Sequence, residues 1–150
     1  NLVPPYSPDK GIHGVSAAIE FGVLDLKIKD IIILGHAHCG GIASLCNNFN
    51  SEIDKTLNKN KSREFIDGWM DIASPVIAKI NLKDSSEPLQ HFIEKESIKN
   101  SIQNLKTFPW VMELIKKKEL NIHGWWFELK SGELFCFDEN KKNFIKVDYD

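Results

Sequence analysis

Two side chains able to bind metal stand three positions apart where a short apolar run ends. They are His36 and Cys39, in Ile31-Ile-Ile-Leu-Gly-His-Ala-His-Cys-Gly-Gly-Ile42. If Cys39 opens a helical turn, the imidazole and the thiolate converge on one point and form the local half of a tetrahedral metal site. Both are borderline-soft donors, which favours zinc over magnesium or calcium. Gly35, Gly40 and Gly41 flank the pair and allow tight bends and close approach of a small ligand. A Gly-rich turn between strand and helix is equally a cradle of backbone amides for an anion. It has neither the Gly-x-Gly-x-x-Gly nor the Gly-Lys-Ser pattern that makes nucleotide binding specific. From these residues alone, the metal and anion readings both stand.

The other chemistry-bearing residues read as structural. His38, two positions from His36, points elsewhere. Cys46, one or two turns into the next helix, is a small core residue, and Cys136, between Phe135 and Phe137, packs in a core. His13, near a helix start, and His123, ahead of Trp125-Trp126, read as capping or buried hydrogen-bonding histidines, and His91, on a charged helix, as exposed. Trp69, Trp110, Trp125 and Trp126 are large apolar groups before they are ligand contacts.

The elements that position His36 and Cys39 follow from periodicity. Residues 31–34 are four consecutive large apolar residues after Asp30, the pattern of a strand buried on both faces. Open α/β sheets place ligands at the carboxyl ends of such strands. Upstream, Pro4, Pro5 and Pro8 predict a loop. Val15, Ala18, Ile19, Gly22, Val23 and Leu26 then form one helical stripe from about Gly11. Past Gly41, Ile42, Ala43, Leu45 and Cys46 predict a short helix, followed by a surface loop or weak helix over 47–61. Residues 63–80 read as a helix that Pro75 kinks or divides. Residues 86–105 form another, with Ser85 or Ser86 as its cap. Pro109 begins a helix running to Lys118, with basic residues at its carboxyl end. The last third changes period. Residues 122–129 and 133–137 read as a hairpin joined through Ser131-Gly132, with a further strand over 143–147.

The chain of 150 residues, 42% hydrophobic and 27% charged, suits one globular domain. A net charge of −2 gives no electrostatic case for nucleic acid or an anionic membrane. No apolar run approaches the roughly 18–20 residues that span a bilayer. Three cysteines are too few and oddly numbered for a disulfide framework, so a reducing, cytoplasmic setting is expected.

Gly35-His-Ala-His-Cys-Gly-Gly-Ile42, preceded by Gly14-Val-Ser-Ala-Ala-Ile-Glu-Phe21 and the strand from Asp30, resembles the second zinc-ligand motif of the β-class carbonic anhydrases. The likeness extends to Asn1-Leu-Val-Pro-Pro5, to Ser101-Ile-Gln-Asn-Leu-Lys-Thr-Phe-Pro109 and to His123-Gly-Trp125. It covers nearly the whole chain. The resemblance implies an α/β fold with a mostly parallel sheet flanked by helices and a C-terminal β-hairpin. It implies zinc held by His36 and Cys39 together with a cysteine of an upstream Cys-x-Asp-x-Arg motif, and the Gly40 amide facing a substrate oxygen. The reaction implied is reversible hydration of carbon dioxide to bicarbonate by zinc-bound hydroxide. In carbonic anhydrases the metal is known to lower the pKa of bound water to about 7. The resemblance also implies a homodimer or higher homo-oligomer.

This sequence contains no Cys-x-Asp-x-Arg. The expectation is an N-terminally incomplete domain over 1–150, lacking early strands, the first zinc ligand and the catalytic Asp-Arg pair, and folding poorly or binding zinc weakly by itself. Two alternatives share the sequence evidence. One is a same-fold hydrolase of carbonyl sulfide or carbon disulfide, and the other a non-catalytic anion-binding domain.

Overall fold

A computed structural model describes residues 2–53, 63–78 and 87–148. Twelve short elements run in the order α1 (Gly14–Glu20), a π-helical turn (Phe21–Asp25), β1 (Asp30–His36), α2 (Gly40–Ile53), α3 (Ile66–Met70), a 3-10 turn (Asp71–Ala73), α4 (Ser74–Ile77), α5 (Leu89–Leu105), α6 (Pro109–Lys116), β2 (Asn121–Glu128), β3 (Glu133–Asp138) and β4 (Asn143–Lys146). The strands form one sheet in the order β1-β2-β3-β4. β1 and β2 are parallel from Asp30↔Asn121 to His36↔Phe127, while β2–β3 and β3–β4 are antiparallel. The α/β class is as expected, with the parallel character confined to β1 and β2 and the predicted hairpin extended into a three-strand meander.

Helix α5 is the main layer on the sheet. Its buried residues Ile93, Glu94, Ser97, Ile98, Ser101, Ile102 and Leu105 fall on one stripe. That stripe reaches the backbone of β1 and β2 at two glycines. A Cβ on Gly35 would lie 2.7 Å from Ile98 Cδ1, and one on Gly124 would lie 2.9 Å from both Ile98 Cγ2 and Ile102 Cδ1. Glycine at both positions lets the helix sit directly on the strands. Around this contact Val23, Ile33, Ile98, Ile102, Leu105, Phe108, Val111, Leu120, Trp126 and Phe144 form one core. Leu2, Ile42, Cys46, Met70, Ala73, Val76 and Ile93 form a second, which joins α2, α3 and α4 to the start of α5. The first residues of the chain are pinned to α5: Val3 N–H donates to Ser101 Oγ at 3.3 Å, and Asn104 Nδ2 donates to Val3 O at 2.8 Å.

β1 departs from the expectation of burial on both faces. Ile33 is buried, but Ile32 and Leu34 are 48% and 54% exposed. Among the described residues β1 pairs with β2 alone and has α5 on one side only, so the alternate side chains meet solvent. The same open face continues through Trp125, Phe127, Leu134 and Cys136 to Ile145, as the register and the two-residue repeat require. Cys136 is accordingly half-exposed there rather than a core residue.

Local chemistry explains the other boundaries. The first predicted helix becomes α1 and a π turn, of which Val23 is the buried residue while Leu26 faces solvent. The helix after Gly41 runs on to Ile53, so the start of the stretch expected to be a surface loop or weak helix is helical. The predicted helix over 63–80 is divided into three pieces, and Pro75 lies in the first turn of the last, where a missing N–H is tolerated. Pro109 opens α6 as expected. Ser85 and Ser86 lie outside the described residues, and the N-cap position of α5 is held by Pro88.

Candidate metal centre

At the carboxyl end of β1 the chain makes one sharp reversal. Ala37 N–H still pairs with Phe127 O at 2.9 Å, and His38 adopts a left-handed conformation with φ of 57°. Such a backbone is uncommon for any residue but glycine, with histidine among the types enriched there. Cys39 then caps α2, its carbonyl accepting from Ala43 N–H at 2.9 Å. The reversal brings the strand's last side chain and the helix's cap residue together. His36 and Cys39 both line a cavity of about 210 Å3 beside residues 33–36, with apolar walls that include Ile33, Ile42, Trp69, Met70 and Ile98.

Donor chemistry fits a soft divalent metal. His36 Nδ1 lies 3.0 Å from Ala37 O. A carbonyl oxygen only accepts, so Nδ1 carries the proton and Nε2 keeps its lone pair. Metal-binding histidines usually have their second nitrogen tied in this way, which sets the tautomer. Cys39 supplies a partly buried thiol at the rim of the same cavity. Among the described residues no group of three His, Cys, Asp or Glu side chains is arranged to hold a metal. Two donors are therefore present for a site that normally needs three protein ligands.

The remaining candidates are placed apart. Cys46 is buried in the second core, and burial pushes its thiol pKa up, with the nearby Glu94 charge acting in the same direction. It remains a thiol, as a core residue should. Burial likewise raises the Cys136 thiol. His38 turns its ring to His91, with centroids 5.3 Å apart, and His91 in turn lies 5.3 Å from Trp126. His91 is thus half-buried among aromatic rings, not freely exposed as its charged helix suggested. His13 holds the N-cap position of α1 without a side-chain capping bond, and it is exposed and pairs with Asp9 at 2.6 Å. His123 is a hydrogen-bonding histidine, 2.9 Å from Asp30, but it is half-exposed. Trp126 is buried, Trp69 lines the cavity, and Trp110 packs on Phe108. The Gly40 position has open space around it, with nothing within 4 Å of an added Cβ.

Sequence reading passed over Glu94 and Gln90. Glu94 is 2% exposed and takes three hydrogen bonds: from Cys39 N–H at 2.9 Å, from Gln90 Nε2 at 3.0 Å and from Trp126 Nε1 at 3.3 Å. Gln90 also donates to Cys39 O at 3.3 Å. A signal was available: Glu94, Ile98, Ser101 and Leu105 share one helical stripe, so an acid occupies a core position.

Comparison with known proteins points to one family. The sequence model of the family described as carbonic anhydrase matches residues 1–134. Beta carbonic anhydrase 6, mitochondrial, of Arabidopsis thaliana is 31% identical over 96% of this chain and 48% of its own length. Beta carbonic anhydrase 5, chloroplastic, of the same plant is 32% identical over 85% of this chain and 40% of its own. The chain thus spans about half the length of these relatives or somewhat less. Among solved structures, the beta-carbonic anhydrase CcaA superposes with a TM-score of 0.79 at 23% identity, covering 99% of this chain and 63% of that one. A beta-carbonic anhydrase described as tetrameric, from Sordaria macrospora, superposes at 0.66 with 21% identity over 90% of this chain and 62% of that one. With its strand-end His36 and Cys39, its α5-on-sheet architecture and a family match over nearly its whole length, the chain belongs to the β-class carbonic anhydrases.

Proposed function

We propose that the protein carrying this chain hydrates carbon dioxide reversibly to bicarbonate and a proton, with zinc held by His36 and Cys39. The observation that carries this reading is the His36 tether. A strand-end imidazole has its Nδ1 proton fixed on Ala37 O and shares a cavity with Cys39. The third ligand comes from outside the described residues, the upstream Cys-x-Asp-x-Arg that the family resemblance implies. When bound, zinc supplies the Lewis acidity that brings the pKa of water to about 7, a general figure for zinc carbonic anhydrases.

The chain's own residues supply the rest. His36 Nε2 and Cys39 Sγ would donate to the metal. Gly40 is the first residue of α2, where a helix start leaves N–H groups without intrahelical partners, and its amide is the group proposed to face a substrate oxygen. Apolar walls suit a small neutral substrate.

A homo-oligomer completes the reading. It is supported by the open sheet face bearing Ile32, Leu34 and Ile145, and by the tetrameric state in the Sordaria protein's description. A reducing compartment, the cytoplasm first, is supported by three unpaired thiols. The test is metal analysis with stopped-flow carbon dioxide hydration on the full-length protein. About one zinc per chain is expected, lost together with activity in His36→Ala and Cys39→Ser. Full-length protein without zinc would overturn the reading, as would zinc-loaded protein that hydrolyses carbonyl sulfide or carbon disulfide but does not hydrate carbon dioxide.

A further inference from the structure

We propose that Gln90 and Glu94 are positioning residues that clamp the Cys39 peptide and so set the direction of its thiolate toward the metal. The inference rests on His36 and Cys39 being metal ligands. Glu94 is the one charged residue buried among the described residues. Burying a carboxylate is costly, and an apolar residue would fill the same stripe position without that cost. The compensation is specific. Glu94 Oε1 accepts from the backbone N–H of Cys39, while Gln90, one helical turn earlier, donates to the carbonyl of the same residue. Gln90 also bonds Glu94 Oε1, so the two contacts share one rigid unit on α5. The second oxygen, Oε2, is held by Trp126 on β2. Lys95 stacks over that indole at 4.4 Å and pairs with Glu87 at 2.6 Å.

Both hydrogen-bonding ends of one residue are therefore fixed from a helix that is itself packed on β1 and β2. The side chain between those ends is the proposed ligand. With N–H and C=O both restrained, Cys39 loses most of its freedom to rotate about its backbone. Its Cα–Cβ bond, from which Sγ projects, is held in one direction before any metal arrives. A negative carboxylate at the N-terminus of the 14-residue α2 is also favoured by the helix dipole.

The test uses the full-length protein. Zinc affinity is measured by chelator competition, and the thiolate-to-metal charge-transfer band is recorded after cobalt substitution. Gln90 is only half-buried, so Gln90→Ala keeps the fold. Glu94→Gln preserves shape but sets an NH2 against one of three donors. Both variants are expected to bind zinc about 10- to 100-fold more weakly, the range for partners of metal ligands. Their cobalt band should shift or weaken, with metal-free melting temperature unchanged in Gln90→Ala. A Glu94→Gln, Gln90→Ala double variant should lose less than the product of the two single effects, because the pair acts as one unit. Wild-type zinc affinity and an unchanged cobalt band in Gln90→Ala would overturn the clamp while leaving the zinc reading intact. Absence of zinc from the wild-type protein would overturn both.

Discussion

A methyl group added at Gly35 tests how closely α5 is seated on the sheet beside the candidate metal centre. The new Cβ would lie 2.7 Å from Ile98 Cδ1 and 2.9 Å from Ile98 Cγ1. Apolar carbons prefer about 3.5–4.0 Å, so helix and strand must part by close to 1 Å or Ile98 must leave its rotamer. Overpacking of this kind costs about 1–3 kcal/mol. Replacing glycine inside a strand returns about 0.5–1 kcal/mol. Taking the middle of each range, the net expectation for Gly35→Ala is a loss of about 1 kcal/mol, read by urea unfolding under tryptophan fluorescence at fixed protein concentration. Ile98→Ala alone should cost about 2–5 kcal/mol, because it empties a fully packed site. Combined, the two should cost less than their sum by 1 kcal/mol or more (order of magnitude), since the methyl occupies part of the vacated space. The reasoning is refuted if Gly35→Ala is as stable as wild type, or if the double variant is additive within about 0.5 kcal/mol. Gly124→Ala meets the same isoleucine and should behave alike.

Three other outcomes follow from the structure. Hydrogen bonds from His123 first, then from Asn121, hold the Asp30 carboxyl below its ordinary pKa. Its contribution is therefore present above the unfolded value near 4 and lost as pH falls through the lower folded value, so Asp30→Asn should flatten the acid limb of the stability–pH curve. Zinc added to metal-free full-length protein should raise stability by about 2.7 kcal/mol at 100 times its Kd, seen as a thermal shift that Cys39→Ser abolishes and Cys46→Ala keeps. Leu34→Lys, on the open face of the sheet, should lower the association state in sedimentation velocity, whereas Lys130→Glu, in the exposed hairpin loop, should not.

The local patterns were the legible part of the fold. Pro109 at a helix start and the Ser131-Gly132 hairpin each depend on neighbours in sequence, and each is found where expected. What could not be read from periodicity depends on partners far along the chain. Ile31 to Leu34 read as doubly buried because the composition of a strand records the layers it is built for, while its exposure records the layers it has. His91 stands on a charged helix, yet its ring is held between His38 and Trp126, 53 residues before it and 35 after it (91 − 38 and 126 − 91). Glu94 was hidden because charge on a helix ordinarily means solvent. Only its place on the stripe with Ile98 and Leu105 marks it as a buried group with partners to find.

The parallel pairing of β1 with β2 also bears on when the candidate metal centre takes shape. Asp30 meets Asn121, a separation of 91 residues (121 − 30), and Ala37, in the turn before Cys39, is held by Phe127. Contacts so distant in sequence form late and slowly, because loop-closure entropy must be overcome before they bring any stabilisation. During synthesis His36 and Cys39 leave the ribosome long before β2 exists. Until it does, their turn has no strand to brace it. The topology therefore predicts late assembly of the candidate site, and a pulse of metal supplied early in refolding should be captured only after the C-terminal meander has docked.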